Sequence, residues 1–385
     1  KIKLTILQIS VNFRTLKIGV ILFTIFSIIF IYGFIAGTYE IFPYDQIRDA
    51  KHMVSPQKLC GFHPEDYPQI YQTNVTSLIQ IYSPDDVMEK RQDIIDYIWK
   101  GNTNSIPIKV EKDIDDSRFD MNNLKQIDKI TIEMDYGVNS VAYLFFPKSS
   151  ENSLVIYHQG HKGDFIHGKN TIEKLVEEGY AVLAFAMPLE EPNSQPIIDM
   201  PKHGVFKMQH HNHFLYLDNP DFSSLKFFLE PIMMSLDHVD ENYSFEEYSM
   251  VGLSGGGWTT TVYSAIDPRI KHSYAVSGGY PEYLQQMIGV GHYERNNSGF
   301  MDIVNYPELY VMSSFGENRT SMHISIEWDS GNRCGNFAQT YDEPVKEAVN
   351  QLGSGTFKNY LDSSFIGHDI SDEAISVILK ELNLD

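Results

Sequence analysis

The sequence predicts an α/β protein in which helices cover both faces of a mostly parallel sheet, preceded by one N-terminal transmembrane helix. Three observations lead to this prediction. The chain has 385 residues with 42% apolar content, which is enough for one large domain plus additions. Short apolar segments alternate with helical patterns from residue 127 to the end. An uncharged and mostly apolar run fills residues 18–39.

This first apolar run is long enough to cross a hydrocarbon core of roughly 30 Å as a helix. A retained anchor is favoured over a cleaved signal peptide, whose apolar region is typically about 7–15 residues long, and over a buried core helix. Basic residues precede the run, and acidic residues occur only from Glu40 onward. The positive-inside rule then predicts a single-pass membrane protein with a cytoplasmic N-terminus and residues 40–385 outside the cytoplasm.

The chain after residues 1–39 is predicted to have two parts. Residues 40–126 form a partly helical extension, in which Ser83-Pro84-Asp85-Asp86 has the N-cap, proline and acidic first turn of a helix start. Residues 127–385 form the main α/β domain. Within it, residues 187–245 are too many for one crossover and are expected to be mostly helical, as a lid over the sheet edge.

The main domain is predicted to alternate between strands and helices. Strands are expected at 129–134, 138–146, 154–158, 181–186, 248–253, 272–276, 322–327 and 357–361. Helices are expected at 169–178, from 254 through 265, at 306–317 and at 372–382.

The strongest catalytic signal is Gly252-Leu253-Ser254-Gly255-Gly256, which contains the pattern G-x-S-x-G between an apolar strand and a helix. A sharp strand-to-helix turn would lift the Ser254 oxygen clear of the backbone. Its close contacts require little or no side chain at Gly252 and Gly256. Ser254 is therefore predicted to be a nucleophile. The alternative is a glycine-rich turn in which Ser254 only caps the helix.

A serine nucleophile needs a histidine base, and with this motif the acid and the histidine follow the serine in the chain. His368 lies between the last predicted strand and the last helix, in the loop where the base is expected. Asp329 follows the strand at 322–327 and is the preferred acid to orient His368. Glu327 and Glu317 remain alternatives, Glu317 only if residues 309–314 form a strand rather than a helix.

The oxyanion that forms during such a reaction needs two N–H donors. One is expected from Gly255, the residue after the nucleophile. The second is expected from the loop after the strand at 154–158, from Gln159, Gly160 or His161. The alternative for this loop is a plain glycine turn. Three further residues are predicted, on weaker grounds, to line the substrate site: His158, His211 and Trp258.

Four histidines between residues 203 and 213 raise the question of a metal site: His203, His210, His211 and His213. No H-E-x-x-H motif or cysteine pair lies nearby to complete a zinc site, so a role in lining the cleft or the lid is favoured. We therefore predict no metal and no other cofactor. A metal-dependent hydrolase built on these histidines is kept as an alternative.

Charge and cysteine content exclude other classes of protein. The formal net charge is −21, so the chain would repel nucleic acid and anionic surfaces, and no nucleic-acid partner is predicted. The two cysteines, Cys60 and Cys334, are too few for a disulfide framework or a cysteine-based zinc site. They either form one bridge or remain as thiols.

In these motifs the chain resembles the α/β-hydrolase superfamily, in its esterase and dienelactone-hydrolase-like branches, over roughly residues 127–385. The resemblance is carried by Tyr157-His158-Gln159-Gly160-His161, Gly252-Leu253-Ser254-Gly255-Gly256, Asp329 and Gly367-His368. It implies an eight-stranded, mostly parallel sheet and hydrolysis through an acyl-enzyme. The sequence departs from many lipases, which have His-Gly-Gly-Gly in the oxyanion loop.

The predicted function is the hydrolysis of carboxylic esters with Ser254, Asp329 and His368 as a catalytic triad. A membrane-tethered, outward-facing enzyme of this kind would act on small-molecule or polymer-borne esters, with acyl groups on envelope or extracellular polysaccharide as the first expectation. The alternatives are a peptidase or lipase of the same fold and a catalytically silent binding domain.

Overall fold

The computed structural model describes residues 13–39, 68–101, 108–149, 152–161, 163–200, 203–284, 292–329 and 335–383. The chain divides into two units, Lys1–Leu59 and Cys60–Asp385. The predicted site residues all belong to the second unit. Cys60 and Cys334, and with them the question of their pairing, lie outside the described residues.

The first unit contains helix α1, Phe13–Tyr39. In the part of the chain that the structure describes, no helix is both long and apolar enough to cross a membrane. The expected transmembrane helix at 18–39 and the single-pass topology are therefore not supported by the described residues.

The second unit is built on a nine-stranded sheet with the order β1-β2-β3-β5-β4-β8-β9-β10-β11. Its strands are β1 Ile108–Glu111, β2 Leu124–Ile132, β3 Ser140–Pro147, β4 Ser153–His158, β5 Ala181–Phe185, β8 Glu247–Leu253, β9 Ile270–Val276, β10 Thr320–Trp328 and β11 Thr356–Ile366. From β5 to β11 neighbouring strands are parallel, whereas β1, β2 and β3 are antiparallel to their neighbours. A separate antiparallel hairpin consists of β6 Ile197–Met200 and β7 Gly204–Lys207.

Helices connect the parallel strands. The α-helices of this unit are α2 Pro84–Trp99, α3 Lys169–Glu177, α4 Lys226–Asn242, α5 Gly255–Ile266, α6 Ser298–Met301, α7 Tyr306–Ser314, α8 Asp342–Leu352 and α9 Asp372–Leu382. Short 3-10 turns occur at Pro68–Gln72, Val75–Leu78, Ser117–Phe119, Asp135–Gly137, Phe165–Gly168, His211–Tyr216, Tyr293–Arg295 and Phe337–Thr340.

The sheet is buried on both faces, as the apolar character of its central strands requires. In β4, Leu154 and Ile156 belong to one apolar cluster and Val155 and Tyr157 to the other, because successive side chains of a strand point to opposite faces. All four are fully buried. The helices therefore cover both faces, as the alternating pattern predicted.

The eight strands and the helices predicted in the main domain are present within a few residues of their expected bounds. The expected number of eight strands in the sheet is wrong, because β1 adds a ninth at the edge beside β2. With four residues, β1 is too short for its period-2 pattern to stand out from the extension.

The segment at 187–245 is less helical than predicted. It begins with the β6–β7 hairpin and the 3-10 turn His211–Tyr216, and only its last third is the long helix α4. The hairpin strands have four residues each, and a short strand carries little sequence pattern. The lid function of this segment stays a prediction.

A buried arginine joins three elements just before β10, the strand that Asp329 follows. Arg319 is 3% exposed, and its guanidinium donates to the backbone carbonyls of Ser264, Ile270, Met312 and Phe315. These carbonyls belong to α5, to β9 and to the end of α7. Burial lowers the pKa of Arg319 to about 10. The residue therefore holds the start of β10 in place through hydrogen bonds that no other side chain could supply in this geometry.

We predict that Arg319→Met lowers the free energy of unfolding by roughly 3 kcal/mol or more, because each buried carbonyl that loses its donor costs about 1–3 kcal/mol. Urea denaturation of the full chain measures the change. Lys125→Met is the control: this exposed lysine on β2 should change stability by less than about 0.5 kcal/mol. Equal losses for the two variants would contradict the role of Arg319.

Candidate active site

The turn between β8 and α5 holds Ser254 in a strained conformation. Its backbone has φ +56° and ψ −112°, a region that residues with a side chain rarely adopt. The Ser254 N–H donates to the carbonyl of Val276 at the end of β9, at 2.8 Å. The N–H of Trp258 donates to the Ser254 carbonyl at 3.0 Å. The turn is thus fixed between the sheet and the first turn of α5.

Close backbone contacts explain the glycines of the G-x-S-x-G motif. A Cβ on Gly252 would lie 2.1 Å from the carbonyl oxygen of Gly256, and a Cβ on Gly256 would lie 2.0 Å from that of His158. Real Cβ atoms do not approach backbone this closely, so both positions require glycine. The sequence-based reason for these two residues is confirmed.

The predicted base and the preferred acid are in direct contact. The distance from His368 Nδ1 to Asp329 Oδ1 is 2.8 Å, and the Asp329 side chain is fully buried. A carboxylate in this place accepts the Nδ1 proton and leaves Nε2 of the neutral ring without one. Neither alternative acid has such a contact among the described residues: Glu327 lies on β10 itself, and Glu317 lies in the turn after α7.

Backbone and side-chain hydrogen bonds hold the His368 loop against β10. The N–H of Gly367 donates to the carbonyl of Trp328, the residue before Asp329, at 3.2 Å. On the other side of His368, Ser371 caps α9 and its hydroxyl donates to the buried carboxylate of Asp362 on β11. The histidine therefore sits in a short loop that is fastened at both ends.

The sheet topology brings the three predicted triad residues to one edge. Ser254 follows β8, Asp329 follows β10 and His368 follows β11. These strands are parallel and lie in the consecutive order β8-β9-β10-β11. Their carboxyl ends therefore meet at the same side of the sheet, where sites form in open parallel sheets.

The loop after β4 packs directly on the turn that carries Ser254. A Cβ on Gly160 would lie 2.8 Å from both the Leu253 carbonyl oxygen and the Ser254 Cβ. The Gln159 N–H already donates to the Phe185 carbonyl at 2.9 Å, so it is not available to an oxyanion. Gly160 and His161 remain as donors from this loop. The N–H of Gly255, the first residue of α5, has no partner within that helix.

The three residues predicted more weakly to line the substrate site are all buried. His158 is 2% exposed, its Nδ1 lies 2.9 Å from the Gln159 carbonyl oxygen, and burial lowers its pKa to about 4. Trp258 is 1% exposed and packs edge-on against Phe228. His211 is 3% exposed. None of the three side chains is exposed enough to line an open substrate cleft, so the structure favours packing and positioning roles for them.

The four histidines between residues 203 and 213 do not converge. His203 packs on Tyr216 and His213 on His210, whereas His211 turns inward. Its Nδ1 lies 3.1 Å from Glu294 Oε2, and its Nε2 lies 2.8 Å from the Pro188 carbonyl oxygen. A metal site built from these four residues is therefore not formed.

His211 instead joins a second cluster with residues from two other loops: His161, His292 and Glu294. Glu294 is not among the residues that the sequence predicts, because a single glutamate in a loop has no pattern that marks it as buried. Burial lowers the pKa of His161 to about 4, against the influence of Glu294. Burial opposes the charge on both Glu294 and His211, but their mutual attraction prevails and holds the Glu294 pKa well below its usual range and that of His211 above it.

No protein-family model matches the chain, and no curated protein matches its sequence. Solved structures are similar in fold. An acetyl xylan esterase from Paenibacillus sp. R4 is 14% identical, with a TM-score of 0.51 over 80% of this chain and 97% of its own. Acetyl xylan esterase 1 from Thermoanaerobacterium sp. JW/SL YS485 is 13% identical, with a TM-score of 0.50 over 82% and 96%.

A glucuronoyl esterase from Solibacter usitatus is likewise similar, 12% identical with a TM-score of 0.51 over 75% of this chain and 90% of its own. At such low identity these similarities concern the fold. The chain has the α/β-hydrolase fold, as the resemblance of its motifs implied, with nine strands in its sheet.

We predict that Gly160→Ala slows the reaction of Ser254 with a serine-directed phosphonate by more than about 10-fold, because the added methyl group forces the loop and the serine apart. The labelling rate of the full chain measures the effect. Gly353→Ala is the control: an added Cβ there has nothing within 4 Å, and its φ of +78° adds a backbone strain that Gly160→Ala does not have. Equal rates for the two variants would contradict the role of the contact.

Proposed function

We propose that this chain is a serine hydrolase that cleaves carboxylic esters through an acyl-enzyme. Ser254 is the nucleophile, His368 the general base and acid, and Asp329 the residue that orients the histidine. The observation that carries the proposal is the 2.8 Å contact between His368 and Asp329, in loops at the same sheet edge as the strained turn of Ser254. The α/β-hydrolase fold supports this assignment but does not by itself imply a function.

In the first half of the reaction, Ser254 Oγ attacks the ester carbonyl carbon while its proton passes to His368 Nε2. The tetrahedral intermediate then collapses, and the same proton goes to the departing alcohol oxygen. Asp329 keeps the imidazole in the tautomer that can accept at Nε2 and stabilises the imidazolium that forms. In the second half, water attacks the acyl-enzyme, gives its proton to His368 and releases the acid, and Ser254 regains its proton.

The carbonyl oxygen becomes negatively charged in each half-reaction. The Gly255 N–H at the start of α5 and an N–H of the loop Gly160–His161 are the donors we propose for it. Their positions are set before substrate arrives, because the loop and the turn are in backbone contact. Donors that are already oriented stabilise the transition state without reorganisation, and losing one typically costs about 10²–10³ in rate.

For the substrate we propose small acyl esters carried on carbohydrate. The similar structures include two acetyl xylan esterases and a glucuronoyl esterase, proteins whose names refer to carbohydrate-borne esters. A formal net charge of −21 disfavours an anionic polymer, since like charges repel at the surface. Neutral acetylated polysaccharide is therefore the first substrate to test, with longer acyl esters and peptides as comparisons for lipase or peptidase activity.

We predict that a fluorophosphonate probe labels the full chain and that neither Ser254→Ala nor His368→Ala is labelled at a comparable rate. The probe forms a stable bond only with a serine whose proton is taken by a base. Release of acetate from acetylated xylan and from 4-nitrophenyl acetate should disappear in the same variants. His167→Ala is the control, a histidine outside the proposed triad that should leave labelling unchanged.

A folded wild-type protein that is neither labelled nor active would overturn the proposal. It would favour the second reading of the sequence, a catalytically silent binding domain. Activity that survives Ser254→Ala would instead point to a metal-dependent hydrolase. Thermal unfolding of each variant shows whether a loss of labelling comes from the site or from a loss of structure.

The choice of acid generates a separate prediction. Asp329→Asn should lower kcat by about 10⁴, since an amide in this place stabilises the wrong tautomer of the base and cannot balance its charge. Glu317→Gln and Glu327→Gln, the two acids that the sequence left open, should change kcat by less than about 3-fold. Steady-state kinetics with 4-nitrophenyl acetate measure all three, and a large loss in either glutamine variant would reassign the acid.

A further inference from the structure

A second group of convergent side chains includes that of His161 in the proposed oxyanion loop, and none of these side chains takes part in the ester chemistry. It joins three loops: His161 after β4, His211 in the segment between β5 and β8, and Glu294 after β9. Among the described residues, His161, His211 and His292 form a group of potential metal ligands whose donor atoms all lie within 4.8 Å of one another.

The distances among the inner three residues suit a single bound ion. His161 Nε2 lies 3.2 Å from His211 Nδ1 and 3.0 Å from Glu294 Oε1, and His211 Nδ1 lies 3.1 Å from Glu294 Oε2. Around a tetrahedral ion with bonds of about 2.0–2.1 Å, neighbouring ligand atoms are about 3.3–3.4 Å apart. An expansion of a few tenths of an ångström would therefore admit the ion.

The carboxylate is a second observation that points to a ligand at this cluster. Glu294 is fully buried, and its Oε1, 3.0 Å from His161 Nε2, has no well-aligned hydrogen-bond donor. A buried carboxylate oxygen with poorly aligned donors is costly. A third partner placed between the carboxylate oxygen and the His161 nitrogen would satisfy both atoms.

A route from solvent and a fourth ligand are both present. His292 is exposed and stacks on the His161 ring with the ring centres 3.9 Å apart. Parallel stacked rings do not aim at one point, so His292 has to turn about its side-chain bonds to coordinate. Both histidines border an open cavity of about 470 Å³, together with Glu190, Gln195, Gln209 and His210.

We propose that His161 Nε2, His211 Nδ1 and Glu294 bind one divalent transition-metal ion of the Zn²⁺ class, with His292 as the fourth ligand. Three imidazoles and one carboxylate favour such ions over Mg²⁺ and Ca²⁺, which prefer oxygen ligands throughout. The ion serves as a clamp. It ties the loop that carries Gly160 and His161 to the two other loops, while Ser254 and His368 do the chemistry without it.

The position of His161 gives the clamp its effect on the site. The His161 ring contacts the turn after the nucleophile, since a Cβ on Gly255 would lie 2.6 Å from its Cε1 and Nδ1 atoms. Gly160, the preceding residue, touches Ser254. Fixing His161 Nε2 to an ion therefore fixes the backbone on which an oxyanion donor depends, through a positioning role rather than a catalytic one.

Metal binding is tested on the full chain, purified without a polyhistidine tag, stripped with a chelator and dialysed. Titration with ZnCl₂ alone, followed by calorimetry and elemental analysis, is expected to show one ion per chain and a higher Tm. Co²⁺ in place of Zn²⁺ should give the intense visible bands of a tetrahedral site. No stoichiometric binding and no shift in Tm, or the weak spectrum of an octahedral ion, would overturn the proposal.

Variants assign the ion to this cluster. His211→Asn and Glu294→Gln should weaken Zn²⁺ binding by more than about 100-fold, beyond the loss typical of outer-shell partners. Either buried variant could fail to fold, so the exposed His292→Asn is the second arm, with an expected loss of at least about 10-fold. His213→Asn, a neighbour that faces away, is the matched control. Equal affinity in His292→Asn and wild type, or equal losses in His213→Asn and His292→Asn, would overturn the assignment.

The outcome is independent of the ester chemistry. A protein that binds no metal but is labelled at Ser254 leaves the proposed hydrolase standing and refutes the clamp. A protein that binds one ion through these residues but is not labelled supports the clamp and refutes the proposed hydrolase. If both hold, stripping the metal should slow labelling by about 10-fold without abolishing it.

Discussion

Backbone contact between the loop after β4 and the turn after β8 is the constraint on which the rest of the site depends. Gly160, Gly252 and Gly256 each lie where a Cβ would overlap a neighbouring backbone or Cβ atom. Such contact places Ser254 in a conformation that a residue with a side chain avoids when it is free. The strain persists because the strand before it, the helix after it and the loop beside it leave the turn no alternative.

The proposed acid and base, Asp329 and His368, are held by hydrogen bonds at the carboxyl ends of β10 and β11. The Gly367–Trp328 hydrogen bond and the anchoring of Ser371 by Asp362 fasten the His368 loop on both sides. Arg319 fixes the beginning of β10 through four backbone carbonyls, three of them in fully buried hydrogen bonds. The 2.8 Å contact of His368 with Asp329 thus rests on a frame whose own hydrogen bonds are buried and therefore cannot exchange freely with water.

Burying charged groups beside the proposed site costs free energy, and contacts within the His161–His211–Glu294 cluster have to offset it. A fully buried carboxylate is tolerated only when it is paired or coordinated. Among the described side chains the compensation comes from His211, whose Nδ1 lies 3.1 Å from Glu294 Oε2; this contact holds the Glu294 pKa below its usual range and raises the His211 pKa. A bound divalent ion would supply the same compensation to both carboxylate oxygens at once. Either way the cluster links three loops that the sheet alone does not hold together.

Much of this protein could be predicted from its sequence, because the relevant physics is local. Strand and helix periodicity predicted eight of the nine sheet strands, and the G-x-S-x-G pattern after an apolar strand identified the strained turn. The capping pattern Ser83-Pro84-Asp85-Asp86 located the start of α2 to the residue. Such signals arise within a few residues of chain and need no knowledge of what packs against them.

Tertiary structure alone decided what depends on contacts between distant segments. Asp329, rather than Glu317 or Glu327, is the partner of His368 because the loops after β10 and β11 lie side by side at the end of these paired strands. The hydrogen bond of Gln159 to Phe185 and the burial of Glu294 against His161 and His211 likewise join residues far apart in the chain. The residues around a side chain in the sequence do not show which distant residue will pack against it. The sequence therefore determined the turn at Ser254 and eight strands of the sheet, whereas packing determined the partners of the side chains.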